Sequence, residues 1–232
     1  MKLIKVNNYK ELSEKAFQII SKDILKKPSL VIGFATGESP LGLYKKLAEA
    51  YKKGKIDFSK IKSFNLDEYY PIKNKDKKSL SYYMFKNLFN NINIKKENIN
   101  LLNGNAGNVK KECRNYENKI RKNPIDIQIV GIGRNGHIGF NEPGSDFNSK
   151  TRLVNLSKET IKVKNVTKKA LTMGISTIMK SKKIILLASG NKKAKAIRCL
   201  IKENTNKNCP VSFLRKHKNI LVIIDGKASS FL

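Results

Sequence analysis

The chain has 232 residues, enough to bury the core of one large domain, and no linker-like stretch divides it. We therefore expect a single domain over residues 1–232. Its 48 basic and 18 acidic residues give a formal net charge of +30, but the basic residues are mostly lysines spread along the chain. Arginine, which nucleic-acid sites favour for paired hydrogen bonds, is scarce. The charge predicts nonspecific attraction to polyanions and argues against a specific nucleic-acid function.

The sequence shows no signal for a membrane or for secretion. No apolar run approaches the ~20 residues that span a bilayer, and residues 1–6 lack the long apolar region of a signal peptide. We expect a cytoplasmic protein without a membrane partner. Cys113, Cys199 and Cys209 are odd in number, widely spaced and without a Cys-x-x-Cys pair, which argues against a disulfide framework and a metal site.

The chain opens with a strand and a helix. Residues 2–6 alternate polar and apolar side chains, as an edge strand does. Asn8 and Glu11 then form a capping box for a helix that stops before Pro28. The apolar stripe of this helix is Leu12, Ala16, Ile19 or Ile20, and Ile24.

A glycine turn joins the next strand and helix. Residues 30–34 form an apolar strand, and residues 41–51 form a helix for which Ser39 is the expected cap and Pro40 the first helical residue. Such a turn leaves unpaired N–H groups and the positive end of a helix dipole on the ligand side, which suits an anion. The turn is neither a Walker loop nor a dinucleotide fingerprint, so by itself it also fits an ordinary capped turn.

The following strand, residues 62–66, ends at a carboxylate pair. Asp67 and Glu68 come directly after it, where such a pair often only caps a turn. If the extended backbone continues, the two side chains point to opposite sides. Two helices follow, over residues 80–89 with Ser79 as the cap and over residues 109–121.

The centre of the chain carries the densest polar motif. Residues 127–132 are an apolar, β-branched run, which predicts a parallel strand buried on both faces. A glycine-rich turn then brings Asn135, His137 and Glu142 into eight residues, where open α/β sheets hold their ligands. Imidazole transfers protons near neutral pH, and a carboxylate on one ring nitrogen would orient it. The simpler interpretation, a histidine that only caps the loop, is disfavoured by the grouping of three polar side chains.

The rest of the chain continues the alternation of strands and helices. The predicted elements are a strand at 151–156, a helix at 168–180, a strand at 184–188, a helix to about 201 and a strand at 220–224. His217, just before the last strand, is interpreted as a surface loop residue. The alternation predicts an α/β fold with a doubly wound, mostly parallel, Rossmann-like sheet and helices on both faces.

Five ordered motifs resemble the glucosamine-6-phosphate deaminases, and together they cover nearly the whole chain. They are Phe34-Ala-Thr-Gly-Glu-Ser-Pro40, Phe64-Asn-Leu-Asp-Glu-Tyr-Tyr70, Gly131-Ile-Gly-Arg-Asn-Gly-His-Ile-Gly-Phe-Asn-Glu-Pro143, Ala170-Leu-Thr-Met-Gly174 and Pro210-Val-Ser-Phe-Leu214. The resemblance implies amino sugar catabolism, in which glucosamine 6-phosphate and water become fructose 6-phosphate and ammonia without an organic cofactor. It implies a small amino sugar phosphate as the partner, and a monomer or a small homo-oligomer.

The resemblance also implies roles for individual residues. Asp67 would move a proton between C2 and C1 of the opened sugar. His137 would open the ring, oriented by Asn135 and Glu142. The residues implied in substrate binding are Thr36, Gly37, Ser39, Glu68 and Lys193.

Two segments depart from the family pattern. Relatives have a longer lid with an Arg that contacts the substrate phosphate, whereas residues 157–167 contain no Arg, so Lys162 or Lys164 would substitute. Larger relatives bind the activator N-acetylglucosamine 6-phosphate through a segment that here keeps Arg152 but has Val154 in place of the activator-binding Lys. We therefore expect no activation by that sugar.

Two other functions fit the predicted fold. A related 6-phosphogluconolactonase would carry Asp-Gly-His-Thr where this chain has Asn135-Gly-His-Ile138, and Asn141-Glu142 also argues against it. A non-catalytic sugar-phosphate sensing domain of a transcription regulator would need a DNA-binding module, for which the strand at residues 2–6 leaves no room.

Overall fold

The computed structural model describes residues 1–158, 160–161 and 166–232. The strands in these ranges are β1 (Lys2–Val6), β2 (Val31–Phe34), β3 (Lys62–Asn65), β4 (Asp67–Tyr70), β5 (Ile99–Asn100), β6 (Ile127–Val130), β7 (Arg152–Asn155), β8 (Lys169–Thr172), β9 (Lys183–Ala188) and β10 (Ile220–Asp225). The α-helices are α1 (Tyr9–Lys26), α2 (Leu41–Lys52), α3 (Leu80–Asn87), α4 (Val109–Lys122), α5 (Ile175–Met179) and α6 (Ala194–Lys202). Short 3₁₀ helices lie at Phe89–Asn91, Lys96–Asn98, Asn191–Lys193 and Pro210–Lys216. No helix in the described part of the chain is both long and apolar enough to cross a bilayer.

In the described part of the chain the main sheet has seven strands, in the order β1-β10-β9-β6-β2-β3-β5, and neighbouring strands run parallel. β6 is the fourth strand, and it is buried along its whole length, as its unbroken apolar run predicts. The chain builds outwards from β2 to one side and from β6 to the other, so the strand order reverses between them. The predicted doubly wound, Rossmann-like fold is confirmed. The loops after β2 and β6 emerge at the reversal, where such sheets bind ligands.

Local capping signals place two of the helices. α1 begins at Tyr9 because Asn8 Oδ1 accepts the N–H of Glu11 at 3.0 Å. α3 follows Ser79, whose Oγ accepts the N–H of Tyr82 at 2.9 Å. The apolar stripe of α1 is buried against α2 and β10, so the predicted periodicity is confirmed.

A second sheet lies beside the main one, although the sequence patterns predict none. Its three antiparallel strands have the order β4-β8-β7. The prediction of one helix over residues 168–180 is wrong, because Lys169–Thr172 forms β8 and only Ile175–Met179 is an α-helix. β8 pairs with both neighbours along its length, so the extended backbone satisfies its hydrogen bonds on both sides. The same sheet extends the chain directly after β3 and thereby holds the carboxylate pair.

Two features before β10 differ from their predictions. Cys199 of α6 and Cys209 are joined by a disulfide, so the prediction against disulfides is wrong for this pair. His217 is more than a surface residue, because its Nε2 lies 2.8 Å from the carbonyl oxygen of Ser181 and its Nδ1 accepts the N–H of Asn219 at 3.1 Å. The ring therefore ties the entry of β10 to the segment before β9.

Candidate active site

The turn after β6 folds the imidazole of His137 back over its own loop. The N–H of Gly133 donates to the carbonyl of His137 at 2.8 Å. A Cβ atom at Gly133 would lie 2.2 Å from the imidazole, so only glycine leaves room for the ring there. The side chain of His137 is 24% exposed, which leaves it open to a ligand at this edge of the sheet.

Glu142 faces the imidazole. Its Oε2 lies 3.4 Å from Nδ1 of His137, which is longer than a short hydrogen bond. Burial by itself would raise the pKa of Glu142, but three polar neighbours outweigh burial and lower the pKa to about 2. These neighbours are His137, Thr160 and Asn135. Glu142 is therefore ionised at neutral pH and holds the Nδ1 side of the ring, which leaves Nε2 for a ligand.

Asn135 supports this pair through hydrogen bonds to the carboxylate and to the main chain of His137. Its Nδ2 donates to Glu142 Oε2 at 2.8 Å, and its Oδ1 accepts the main-chain N–H of His137 at 3.2 Å. One amide thus holds both the carboxylate and the backbone of the histidine. The three polar residues after β6 lie together, and Asn135 orients His137 indirectly.

Two residues at the start of the lid reach the same carboxylate. Thr160 Oγ1 donates to Glu142 Oε1 at 2.7 Å, and Ser157 Oγ lies 3.2 Å from the same oxygen. Neither residue is predicted by the sequence, because hydroxyl side chains in a lid are common and carry no spacing signal. Lys162 and Lys164, the expected substitutes for the missing Arg, lie outside the described residues.

Asp67 lies where the loop after β6 crosses β4. It pairs with Thr172 of β8, and only 7% of its surface is exposed. A Cβ atom at Gly139 would lie 3.5 Å from Asp67 Oδ2 and 2.9 Å from Thr172 Oγ1, so glycine allows the loop to pass this close. The buried carboxylate therefore borders the loop that carries His137.

Glu68 points away from Asp67, as the alternation of a strand predicts. Glu68 is 1% exposed, and its carboxylate accepts the main-chain N–H groups of Tyr69, Leu80 and Ser81 at 2.9, 2.8 and 2.8 Å. Burial raises the pKa of Glu68, although these hydrogen bonds oppose the rise. Leu80 and Ser81 form the first turn of α3, so Glu68 satisfies the free donors of that helix. These contacts give Glu68 a structural role, and its implied role in substrate binding stays a prediction.

The loop after β2, residues 35–39, lies beside the histidine loop because β2 and β6 are neighbours. The predicted cap of α2 is wrong, since Pro40 precedes the first helical residue and α2 has no side-chain cap. Ser39 is thus left in the loop. The candidate binding residues of this loop, all partly exposed, are Thr36, Gly37 and Ser39.

Lys193 belongs to a third loop at the same edge. It ends the 3₁₀ helix Asn191–Lys193 after β9, and α6 follows directly. β9 is the neighbour of β6 on the side opposite β2. The loops after three adjacent strands therefore carry the candidate residues at one edge of the sheet.

A cavity of about 1030 Å³ lies elsewhere, between α4 and residues 150–153. Its wall includes Arg152, whose Nη1 donates to Asn141 Oδ1 at 2.9 Å behind the histidine loop. In the described part of the chain, no group of three or more His, Cys, Asp or Glu side chains is placed to hold a metal ion. The imidazole with Glu142, and the loop that borders Asp67, lie instead at the edge of the sheet.

Comparison with known proteins gives a family for the whole chain. The model of a family described as glucosamine-6-phosphate isomerases/6-phosphogluconolactonase matches residues 6–223. Two similar relatives are named glucosamine-6-phosphate deaminase, from Clostridium botulinum (strain Langeland / NCTC 10281 / Type F) and from Thermoanaerobacter sp. (strain X514). Each is 48% identical over 241 aligned residues, which cover 100% of this chain and 99% and 95% of the two relatives.

Two solved structures have similar folds but differ in their sequence identity to this chain. A monomeric glucosamine-6-phosphate deaminase is 41% identical, with 100% of both chains covered and a TM-score of 0.97. The 6-phosphogluconolactonase of Thermotoga maritima is 22% identical, with 97% of this chain and 99% of that chain covered and a TM-score of 0.79. The likeness to the lactonase is one of fold alone.

Proposed function

The chain belongs to the family of glucosamine-6-phosphate isomerases and 6-phosphogluconolactonases, and on this basis we propose that it acts as a glucosamine-6-phosphate deaminase. The reaction converts glucosamine 6-phosphate and water to fructose 6-phosphate and ammonia. One observation carries the proposal: Gly139 lets the loop of His137 and Glu142 pass beside the buried Asp67. An isomerising deaminase needs two proton-transfer groups, one for the ring oxygens and one for carbon.

Ring opening is assigned to His137. The pyranose opens when the O1 hydroxyl loses a proton and O5 gains one, so one group that takes and returns a proton is sufficient. Glu142, with a pKa of about 2, stays ionised and holds Nδ1, while Nε2 serves O1 and O5. Asn135 keeps this carboxylate in place.

The carbon step is assigned to Asp67. In the open chain the aldehyde at C1 acidifies the hydrogen on C2, and the carboxylate takes that proton and returns it to C1. The amine on C2 gives up one proton as it becomes an imine, and the former aldehyde oxygen O1 takes up one proton as it becomes a hydroxyl. Water then adds to C2, and ammonia leaves with both protons of that water as the ketone forms. Because Asp67 is only 7% exposed, bulk water competes little for the proton during the transfer.

Binding of the sugar phosphate is assigned to loop 35–39 and to Lys193. The loop precedes α2, whose first N–H groups and positive dipole end favour an anion. Lys193 adds a positive charge at the start of α6. Thr160 donates to Glu142 Oε1 and so helps to hold the carboxylate that faces the imidazole.

The test is ammonia release by the purified full chain from glucosamine 6-phosphate, galactosamine 6-phosphate and their N-acetyl forms, with 6-phosphogluconolactone hydrolysis as a comparison. We expect equimolar ammonia and fructose 6-phosphate from glucosamine 6-phosphate, and a large loss of rate in His137→Gln. His217→Gln is the matched control, because the hydrogen bonds of that ring within the described residues are to main-chain groups of Ser181 and Asn219. Lactone hydrolysis without ammonia release, or no ammonia from any of the four sugars, would contradict the proposal.

We further propose that residues 1–232 act as one domain and as a monomer. One hydrophobic core extends from α1 to β10 and beyond it to Ala228, and the solved deaminase of TM-score 0.97 is described as monomeric. Light scattering should give a mass near 26.3 kDa, and urea should unfold the chain in one transition. A multiple of that mass, or two separate transitions, would contradict these proposals.

A further inference from the structure

Three phenolic hydroxyl groups, one from each of the first three helices, hold the main chain of loop 35–39. They donate to carbonyl oxygens as follows: Tyr44 of α2 to Ala35 at 2.5 Å, Tyr83 of α3 to Gly37 at 2.5 Å, and Tyr9 of α1 to Glu38 at 2.8 Å. The hydroxyl of Tyr9 also accepts the N–H of Gly42, in the first turn of α2, at 2.8 Å. The loop is thus fixed through its carbonyl groups.

Fixing the carbonyls also fixes the N–H groups of the loop. In a trans peptide the carbonyl and the following N–H point in opposite directions. The tyrosines therefore turn the N–H groups of Thr36, Glu38 and Ser39 away from the helices that carry the phenols. Within the described residues, none of these three N–H groups donates to another group of the protein. A set of unused N–H donors before the positive end of α2 is a binding arrangement for an anion.

The hydroxyl groups of Tyr44 and Tyr83 stay protonated and can therefore donate hydrogen bonds. Tyr44 is fully buried and Tyr83 is half-buried, and this burial raises the pKa of both hydroxyl groups. Each therefore keeps its proton at neutral pH and can donate to a carbonyl. Glu68, directly after the proposed base Asp67, accepts the main-chain N–H groups of Leu80 and Ser81 and so caps α3, the helix that carries Tyr83.

We propose that Tyr9, Tyr44 and Tyr83 are positioning residues that aim the N–H groups of loop 35–39 at the phosphate of the substrate. This inference rests on the proposed function and deepens it, because it explains how the loop is prepared for an anion without a side-chain cap on α2. The phenols do not touch the substrate in this arrangement. Their contribution is to remove the cost of ordering the loop when the phosphate binds.

Tyr83→Phe is the primary test, because it removes one hydroxyl and leaves the ring packing of α3 in place. Loss of one oriented hydrogen bond should raise KM for glucosamine 6-phosphate about fivefold to tenfold and leave kcat within about twofold. The Kd of inorganic phosphate, measured by isothermal titration calorimetry on the full chain, should rise by a similar factor. Tyr51→Phe is the matched control. Tyr51 of α2 is partly buried, like Tyr83, but its hydroxyl makes no hydrogen bond within the described residues.

Tyr44→Phe provides an independent second variant. It should shift KM and the phosphate Kd in the same direction, with the fraction of folded protein checked by circular dichroism. The inference is overturned if both variants keep the phosphate Kd within about twofold of the Tyr51→Phe control, or if kcat falls while KM and the Kd stay unchanged. Failure of the proposed function is distinguishable, because wild-type protein would then release no ammonia while the phosphate titrations still decide the role of the tyrosines.

Discussion

Replacement of Glu142 by Gln removes the charge at the centre of the proposed catalytic group. Folding lowers the pKa of this carboxyl from 4.5 to about 2, because three polar neighbours outweigh the opposing effect of burial. A decrease of this size corresponds to about 3 kcal/mol of folding free energy at neutral pH. The side chain is 12% exposed, so solvent screens little of this contribution.

The sign of the pH dependence follows from the direction of the shift. A carboxyl whose pKa is lowered by folding stabilises the folded state above its unfolded pKa, and the contribution is lost as the pH falls towards the folded pKa. Glu142→Gln should therefore be less stable than wild type by about 2–3 kcal/mol at pH 7. The difference should shrink by about 2 kcal/mol between pH 6 and pH 3, because the wild-type carboxyl takes up a proton in the unfolded state over this range and Gln does not.

The assay is urea unfolding, followed by circular dichroism, of wild type and Glu142→Gln at a series of pH values from 3 to 7. Glu97→Gln is the control, because Glu97 is exposed and its carboxylate accepts no hydrogen bond within the described residues. Its stability should follow that of wild type at every pH. A stability difference between wild type and Glu142→Gln that stays constant from pH 7 to pH 3 would refute the reasoning, since it would mean that folding does not lower the pKa of Glu142.

Four further predictions address the site and its loop. Asp67→Asn should still bind substrate, but its turnover should fall about 10²- to 10⁴-fold and exchange of the C2 hydrogen with solvent deuterium should stop. Glu68→Gln should lower the unfolding temperature and keep that exchange. The reverse result would mean that Glu68, and not Asp67, is the base. Asn135→Asp places a second carboxylate at the position that now donates to Glu142 Oε2 at 2.8 Å, so the acid limb of the pH–rate profile should move to higher pH. A limb that does not move would mean that residue 135 does not interact with His137 and Glu142. Gly136→Ala should destabilise the fold by about 1–3 kcal/mol in urea unfolding, because φ is 82° and the new Cβ would lie 2.7 Å from a disulfide sulfur. Unchanged stability would contradict the backbone conformation described at Gly136. N-acetylglucosamine 6-phosphate should leave hyperbolic rate curves unchanged, and sigmoidal curves that it straightens would show an activator site.

Much of the fold was predictable because its determinants are local. The cap at Asn8 and the cap at Ser79 involve side chains three residues from their donors, so the starts of α1 and α3 can be read along the chain. β6 is an unbroken apolar run, and its buried, central place follows from that composition. The polar group after it is also local, since Asn135 and Glu142 are seven residues apart.

The second sheet could not be predicted from such local patterns. Residues 168–180 have apolar spacing that suits a helix, but β8 gains two strand partners, β4 and β7, that are distant in the chain. Pairing on both sides outweighs the intrinsic preference of a four-residue segment. The same sheet decides that Asp67 borders the histidine loop while Glu68 caps α3.

The tyrosine contacts depended on tertiary structure alone. Tyr9 reaches Glu38 across 29 residues, and Tyr83 reaches Gly37 across 46 residues. The sequence determined which chemical groups follow the strands, because composition and capping act over a few residues. Only the packing of α1, α2 and α3 around loop 35–39 decided which way its N–H groups point, because a peptide plane is oriented by the partner that holds its carbonyl.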